Sequence, residues 1–165
     1  MIKRELEIFA KDLAIHRAEV TDMLLNFFMT DMLFFWGEEK GLIEQQKEVW
    51  GPLLKWAEEE FDTKFVKAKG IDVPEQDMQS GYRVRFFIEN LTDKELAAFY
   101  FATKRTTSVL LAAAFVKKKI SYEQAFKAAS LEEAWQQSTW GQDKLIEKQQ
   151  KELKQDLKEI EDFLK

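Results

Sequence analysis

Few side chains in this sequence could carry chemistry. There is no cysteine, so disulfides, thiolate metal sites and thiol nucleophiles are excluded. The single histidine, His16, lies in "LAIHRAEV" between two stretches that read as helical, with no obvious partner carboxylate. A structural or surface role is expected for it. Glu132–Glu133 is a pair of carboxylates, but adjacent residues on a helix point in different directions and do not share a site. Glu38–Glu39 and Glu58–Glu59–Glu60 read as solvated faces. No P-loop, Rossmann glycine pattern, His-rich metal motif or nucleophile elbow occurs. An enzyme is not expected, nor a metal or cofactor. What remains unusual is "LEEAWQQSTWGQD", which sets Trp135 and Trp140 five residues apart in polar surroundings and follows the second with Gly141.

The elements that would position those residues read as helices. The 165 residues suit one compact domain spanning 1–165, able to bury about 70% of the surface its unfolded chain exposes. Six glycines and two prolines leave the chain little punctuated, and no repeat or linker divides it. The expected class is all-α, a multi-helix domain with at most a very short extended segment near residues 63–73, at Phe65–Val66. Net charge is −5 with both signs mixed along the chain, which disfavours nucleic acid as a partner. "SVLLAAAFV" (108–116) is too short to span a bilayer, so no stable membrane insertion is expected. The acidic residues Glu5, Glu7 and Asp12 argue against a secretory signal or a mitochondrial presequence at the start. Either the chain stays where it is made or a presequence has been removed.

Ile2, Leu6, Phe9 and Leu13 predict a first amphipathic helix, and a second, aromatic-rich helix is expected from Ala18 to a stop at Gly37. Two helical pieces are expected around a break at Trp50–Gly51–Pro52. Met78–Ile88 is read as helix, although "YRVRFFI" alternates enough to pass for a strand. Thr92 with Asp93 and Glu95 predicts a capped helix running through Phe115 to the basic end Lys117–Lys119. Ser121 with Gln124 predicts a capping box, and Ile146, Leu153, Leu157, Ile160 and Leu164 predict a closing amphipathic helix. Trp135 is expected to face the core in continuation of Ala125, Ala128 and Leu131. Trp140 falls at the helix end, where Gly141 lets the chain turn. In the simplest account both tryptophans pack in the core.

"SLEEAWQQSTWG" resembles the signature of the ATP synthase assembly chaperones that hold the alpha subunit of the catalytic head, found in mitochondria and alphaproteobacteria. The matching residues are Leu131, Glu132, Glu133, Trp135, Gln136, Trp140 and Gly141. Other segments are similar in order and spacing: Arg17, Thr30 and Asp31; then Gln46, Trp50, Pro52, Trp56 and Ala57; then "SVLLAAAFVKKKISYEQAF". Gly51 stands where the family usually has Asp, and Gln142 where many members carry an acid or asparagine. The family also has an N-terminal β-rich domain, so the resemblance is to its C-terminal helical domain alone.

The resemblance implies a chaperone that covers the free alpha subunit until the beta subunit displaces it, working as a monomer in the bacterial cytoplasm or the mitochondrial matrix. It implies a client-binding face at Glu132, Glu133, Gln136, Trp140 and Gly141, with Glu132 as polar hot spot and Trp140 as aromatic anchor. Asp31, Gln46, Trp50, Pro52, Trp56 and Trp135 are expected to be structural, Asp31 tying a buried helix end. For Glu132 the alternative is an inter-helix hydrogen bond that only holds the domain together. A permanent structural or adaptor subunit of another complex is the competing functional reading.

Overall fold

The first 29 residues contain no glycine or proline, and Leu6, Leu13, Val20, Leu24 and Phe28 recur along one face. In the computed structural model, which describes residues 2–68 and 70–165, they form one helix, α1 (Lys3–Met29). Met1 and Lys69, which fall within the expected domain and loop, lie outside the described residues. Two helices were expected here, and the second was to reach Gly37. Instead α1 runs unbroken through His16, whose ring is exposed beside Glu19, and stops before Thr30. The stop has a specific cause. Asp31 turns its carboxylate onto the Leu33 amide and starts a short 3-10 turn, Met32–Phe34.

The second helix, α2 (Lys40–Glu60), also corrects an expectation, because it passes through Pro52 without a break. Proline removes one amide donor from the ladder. That loss does not end a helix whose Gln46, Trp50, Leu53 and Ala57 are all buried along one side. The connection that follows contains no strand among the described residues. Its expected extended stretch is held by a side chain instead: Gln76 accepts from the Val66 amide at 2.8 Å and donates to the Val66 carbonyl at 2.7 Å. Helix α3 (Met78–Glu89) starts at Asp77, which accepts from the Gln79 amide.

The expected long helix from Thr92 to Lys117 is two helices, α4 (Asp93–Thr106) and α5 (Val109–Val116). Thr107 breaks them with φ +59°, and Ser108 caps α5 by accepting from Leu111. The Thr92–Glu95 capping box is present as expected at the start of α4, and so is the Ser121–Gln124 box at the start of α6 (Tyr122–Ala129). Helices α7 (Leu131–Trp140) and α8 (Lys144–Phe163) complete the chain.

Helix α5 is buried at every position and packs against α1, α2, α4 and α6. Around it the apolar faces of the other helices close one helical core that includes Trp50, Phe28, Phe34, Phe99 and Phe115. The fold is therefore all-α, as expected. Helix α7 joins this core only through Leu131, with Trp135 against its edge, and touches α2 and α6.

Candidate interaction face

Helix α7 follows α6 across Ser130, whose hydroxyl donates to the Phe126 carbonyl at 2.7 Å. Leu131 is the one fully buried residue of α7. On the inner side Trp135 is half-buried and lies against the first turn of α2. A Cβ built on Gly41 would stand only 2.4 Å from its ring, so Gly41 leaves the space the indole occupies. The Trp135 Nε1 donates to Glu39 at 3.1 Å. The expected core-facing direction thus holds, but what Trp135 meets is the edge of α2 rather than the centre of the domain.

Glu132, Gln136 and Trp140 recur every four residues and are all exposed. This outer stripe spans about 12 Å along the helix. Trp140 is 81% exposed, which overturns the account in which both tryptophans pack in the core. Its position at the last turn explains this: Gly141, at φ +102° and ψ 164°, turns the chain away in a conformation suited to glycine. Asp143 then caps α8, accepting from Leu145 at 2.8 Å, and the Leu145 side chain is also exposed. Glu133 is half-buried on the flank of α7.

Two of the expected structural residues, Gln46 and Trp50, tie α2 to α7 and to α6. Gln46 is fully buried on α2. Its Oε1 accepts from the Gly37 amide at 3.0 Å and its Nε2 donates to Glu132 Oε1 at 3.2 Å. One turn further along α2, Trp50 Nε1 donates to the Ala128 carbonyl of α6 at 2.9 Å and its ring stands edge-on to Trp36. Burial raises the pKa of Glu132. Pro52 is exposed on α2, and Trp56 packs edge-on against Phe61.

Asp31 belongs to a separate junction, where it does tie a buried helix end. It accepts from Ser108 Oγ at 2.6 Å, from the Leu110 amide at 2.9 Å and from Leu33. Desolvation lifts its pKa to about 6 against the pull of those donors. Sequence reasoning missed Glu39, Gly41 and Leu145. The signal for Gly41 was available: a glycine just inside a helix costs stability unless something must pack against it.

The arrangement offers an exposed indole and a partly desolvated carboxylate on one rigid helix. Among the described residues no cluster of acidic or histidine side chains could hold a metal ion. Residues 2–58 match the family model described as ATP12 chaperone protein. Over that third of its length the chain is similar to the ATP12 chaperone family.

Among relatives, the mitochondrial atp12 protein of Schizosaccharomyces pombe is 26% identical over 129 residues. That alignment takes in 74% of this chain and 44% of the fission-yeast protein. The solved Atp12 of Paracoccus denitrificans superposes with a TM-score of 0.87 at 24% identity, over 92% of this chain and 66% of that one, a likeness of fold. The Atu1473 protein of Agrobacterium tumefaciens, described as a chaperone, gives a TM-score of 0.85 at 25% identity, over 94% of this chain and 59% of its own. The chain therefore spans less than two thirds of the length of each of these three proteins. One relative is mitochondrial and two are bacterial, which fits the two compartments expected.

Proposed function

We propose that this chain is an assembly chaperone of the proton-translocating ATP synthase that holds the free alpha subunit until the beta subunit displaces it. The observation carrying this reading is the exposed stripe Glu132–Gln136–Trp140 on α7, in the segment that resembles the family signature. An unassembled subunit exposes apolar surface meant for its neighbour, and such surface aggregates unless covered. Trp140 supplies a large aromatic contact and Glu132 a partly desolvated acceptor, the residue types that dominate binding energy in compact interfaces. Gly141 sets the end of the stripe by turning the chain away, and Glu133 flanks it. The family-model match over residues 2–58 and the two compartments of the relatives support the same reading.

A pull-down of newly made alpha and beta subunits on this chain tests it. Free alpha should be captured, released on addition of beta, and lost with Glu132→Lys in a variant whose circular dichroism stays helical. Capture of neither subunit by the wild-type chain would refute the proposal. A second reading, a permanent structural or adaptor subunit of another complex, draws on a different surface. Met78, Tyr82 and Phe86 leave a second exposed apolar line along α3, a helix that packs chiefly against α1. Beta would then fail to release the partner, and variants at Tyr82 and Phe86 rather than Trp140 would abolish the association.

A further inference from the structure

Gln46 is buried completely, so no bulk water competes for its amide. Its two ends are therefore assigned by their partners. The Gly37 N–H can only donate, which requires the amide oxygen on that side and directs Nε2 at Glu132. Rotating the amide by half a turn would set N–H against N–H at one end and oxygen against carboxylate at the other. The backbone of residue 37 thus fixes, through one side chain, which oxygen of Glu132 is committed. Glu132 Oε1 is held from within, whereas the side chain as a whole remains exposed. Among the described residues no ion pair includes Glu132. A partly desolvated carboxylate with no internal cation is an acceptor in need of a donor.

We infer that Gln46 is the positioning residue of the α7 face: it pins one oxygen of Glu132 so that the other is presented, prealigned, to a cationic Arg or Lys side chain of the client. This rests on the client-binding reading above and adds to it the chemistry that Glu132 recognises. The Trp135–Glu39 hydrogen bond and the Trp135–Gly41 contact hold the rest of the helix in the same register. Preorganisation of this kind raises affinity by reducing the ordering cost of binding.

The test exchanges donor and acceptor. Gln46→Glu keeps an oxygen for Gly37 and sets a carboxylate against Glu132. Glu132→Gln keeps an acceptor for Gln46 and removes the charge. The double variant restores a donor–acceptor pair with the charge on the wrong helix. Each single variant should weaken Kd for free alpha subunit by about tenfold, the scale of one charge-assisted hydrogen bond. The double variant should recover the melting temperature of the wild-type chain and not its affinity. Recovery of affinity together with stability would overturn the inference, because the pair would then only hold helices together.

A second readout needs no client. In the wild-type chain the Gln46 side-chain amide protons should follow the titration of Glu132 by NMR, and that response should vanish in Glu132→Gln. An amide indifferent to Glu132 overturns the positioning role whatever the client does. A wild-type chain that captures no alpha subunit while its amide does respond refutes the client reading and the presentation to an Arg or Lys, leaving only the internal link.

Discussion

Asp31 and Glu132 each stand where helices meet, and burial raises the pKa of both. Asp31 is sealed from solvent, and its carboxylate is used up internally by Ser108 Oγ and by the amides of Leu33 and Leu110. Glu132 receives one hydrogen bond, from Gln46, and keeps a side open to water. The first arrangement joins the end of α1 to the start of α5 and has nothing left to offer a partner. The second joins α7 to α2 loosely and leaves an oxygen over. Two acids of similar chemistry thus differ in how many internal donors surround them, three for Asp31 and one for Glu132, and the interacting role proposed for Glu132 rests on that difference.

Several changes would break or sharpen that contrast. The largest effect is expected at the closed site. Asp31→Ala leaves buried donors without an acceptor and should cost on the order of 3–5 kcal/mol in urea unfolding. A change of Asp31 that costs under about 1 kcal/mol would remove the distinction.

Acidity offers a second approach to the same residue. Its folded pKa is raised from 3.8 to about 6, so the folded chain binds the proton more readily than the unfolded chain. The Asp31 contribution to stability is therefore fully present below 3.8 and is lost as pH rises through 6. The shift corresponds to about 3 kcal/mol. It should be read as the difference between wild-type and Asp31→Asn unfolding curves measured from pH 4 to pH 7, which cancels the other carboxylates; Glu95, lowered by its bonds to Thr92 and Lys117, acts in the opposite direction. A flat difference curve would show that the three donors outweigh burial.

At the open site, effects should fall on binding instead. Trp140→Ala removes an exposed ring and should weaken capture of the alpha subunit by about 2 kcal/mol, roughly thirtyfold, by a direct binding titration. The same variant should change unfolding free energy by less than about 0.5 kcal/mol. Glu132→Gln should be the mildest for stability, within about 0.5 kcal/mol, since an amide oxygen can still accept from Gln46. A larger loss would place Glu132 with Asp31 as a structural acid.

Much of this was readable locally. The capping boxes at Thr92–Glu95 and Ser121–Gln124 depend on four consecutive residues, and both are present. The apolar faces of α1 and α8 follow from periodicity. What escaped local reading was set by distant partners. The break at Thr107 is stabilised by Asp31, 77 positions from Ser108 and 79 from Leu110. The continuity of α2 through Pro52 reflects the burial of Trp50 and Leu53 against other helices, which no window around the proline contains. The partner of Trp135 was equally hidden, because Glu39 is 96 residues away. The signature residues on α7 could be picked out from their order, but their division into an inner Trp135 and an outer Trp140 required knowing where α2 runs.

The uneven burial of the five tryptophans gives the protein an intrinsic optical label. Trp50 is shut inside, Trp36, Trp56 and Trp135 are half-covered, and Trp140 stands in water. The red edge of the emission band therefore comes chiefly from Trp140, and a dissolved quencher reaches it first. Whatever docks on α7 must shift that emission to the blue and shield it from the quencher, while a partner seated on α3 would leave the spectrum as it was.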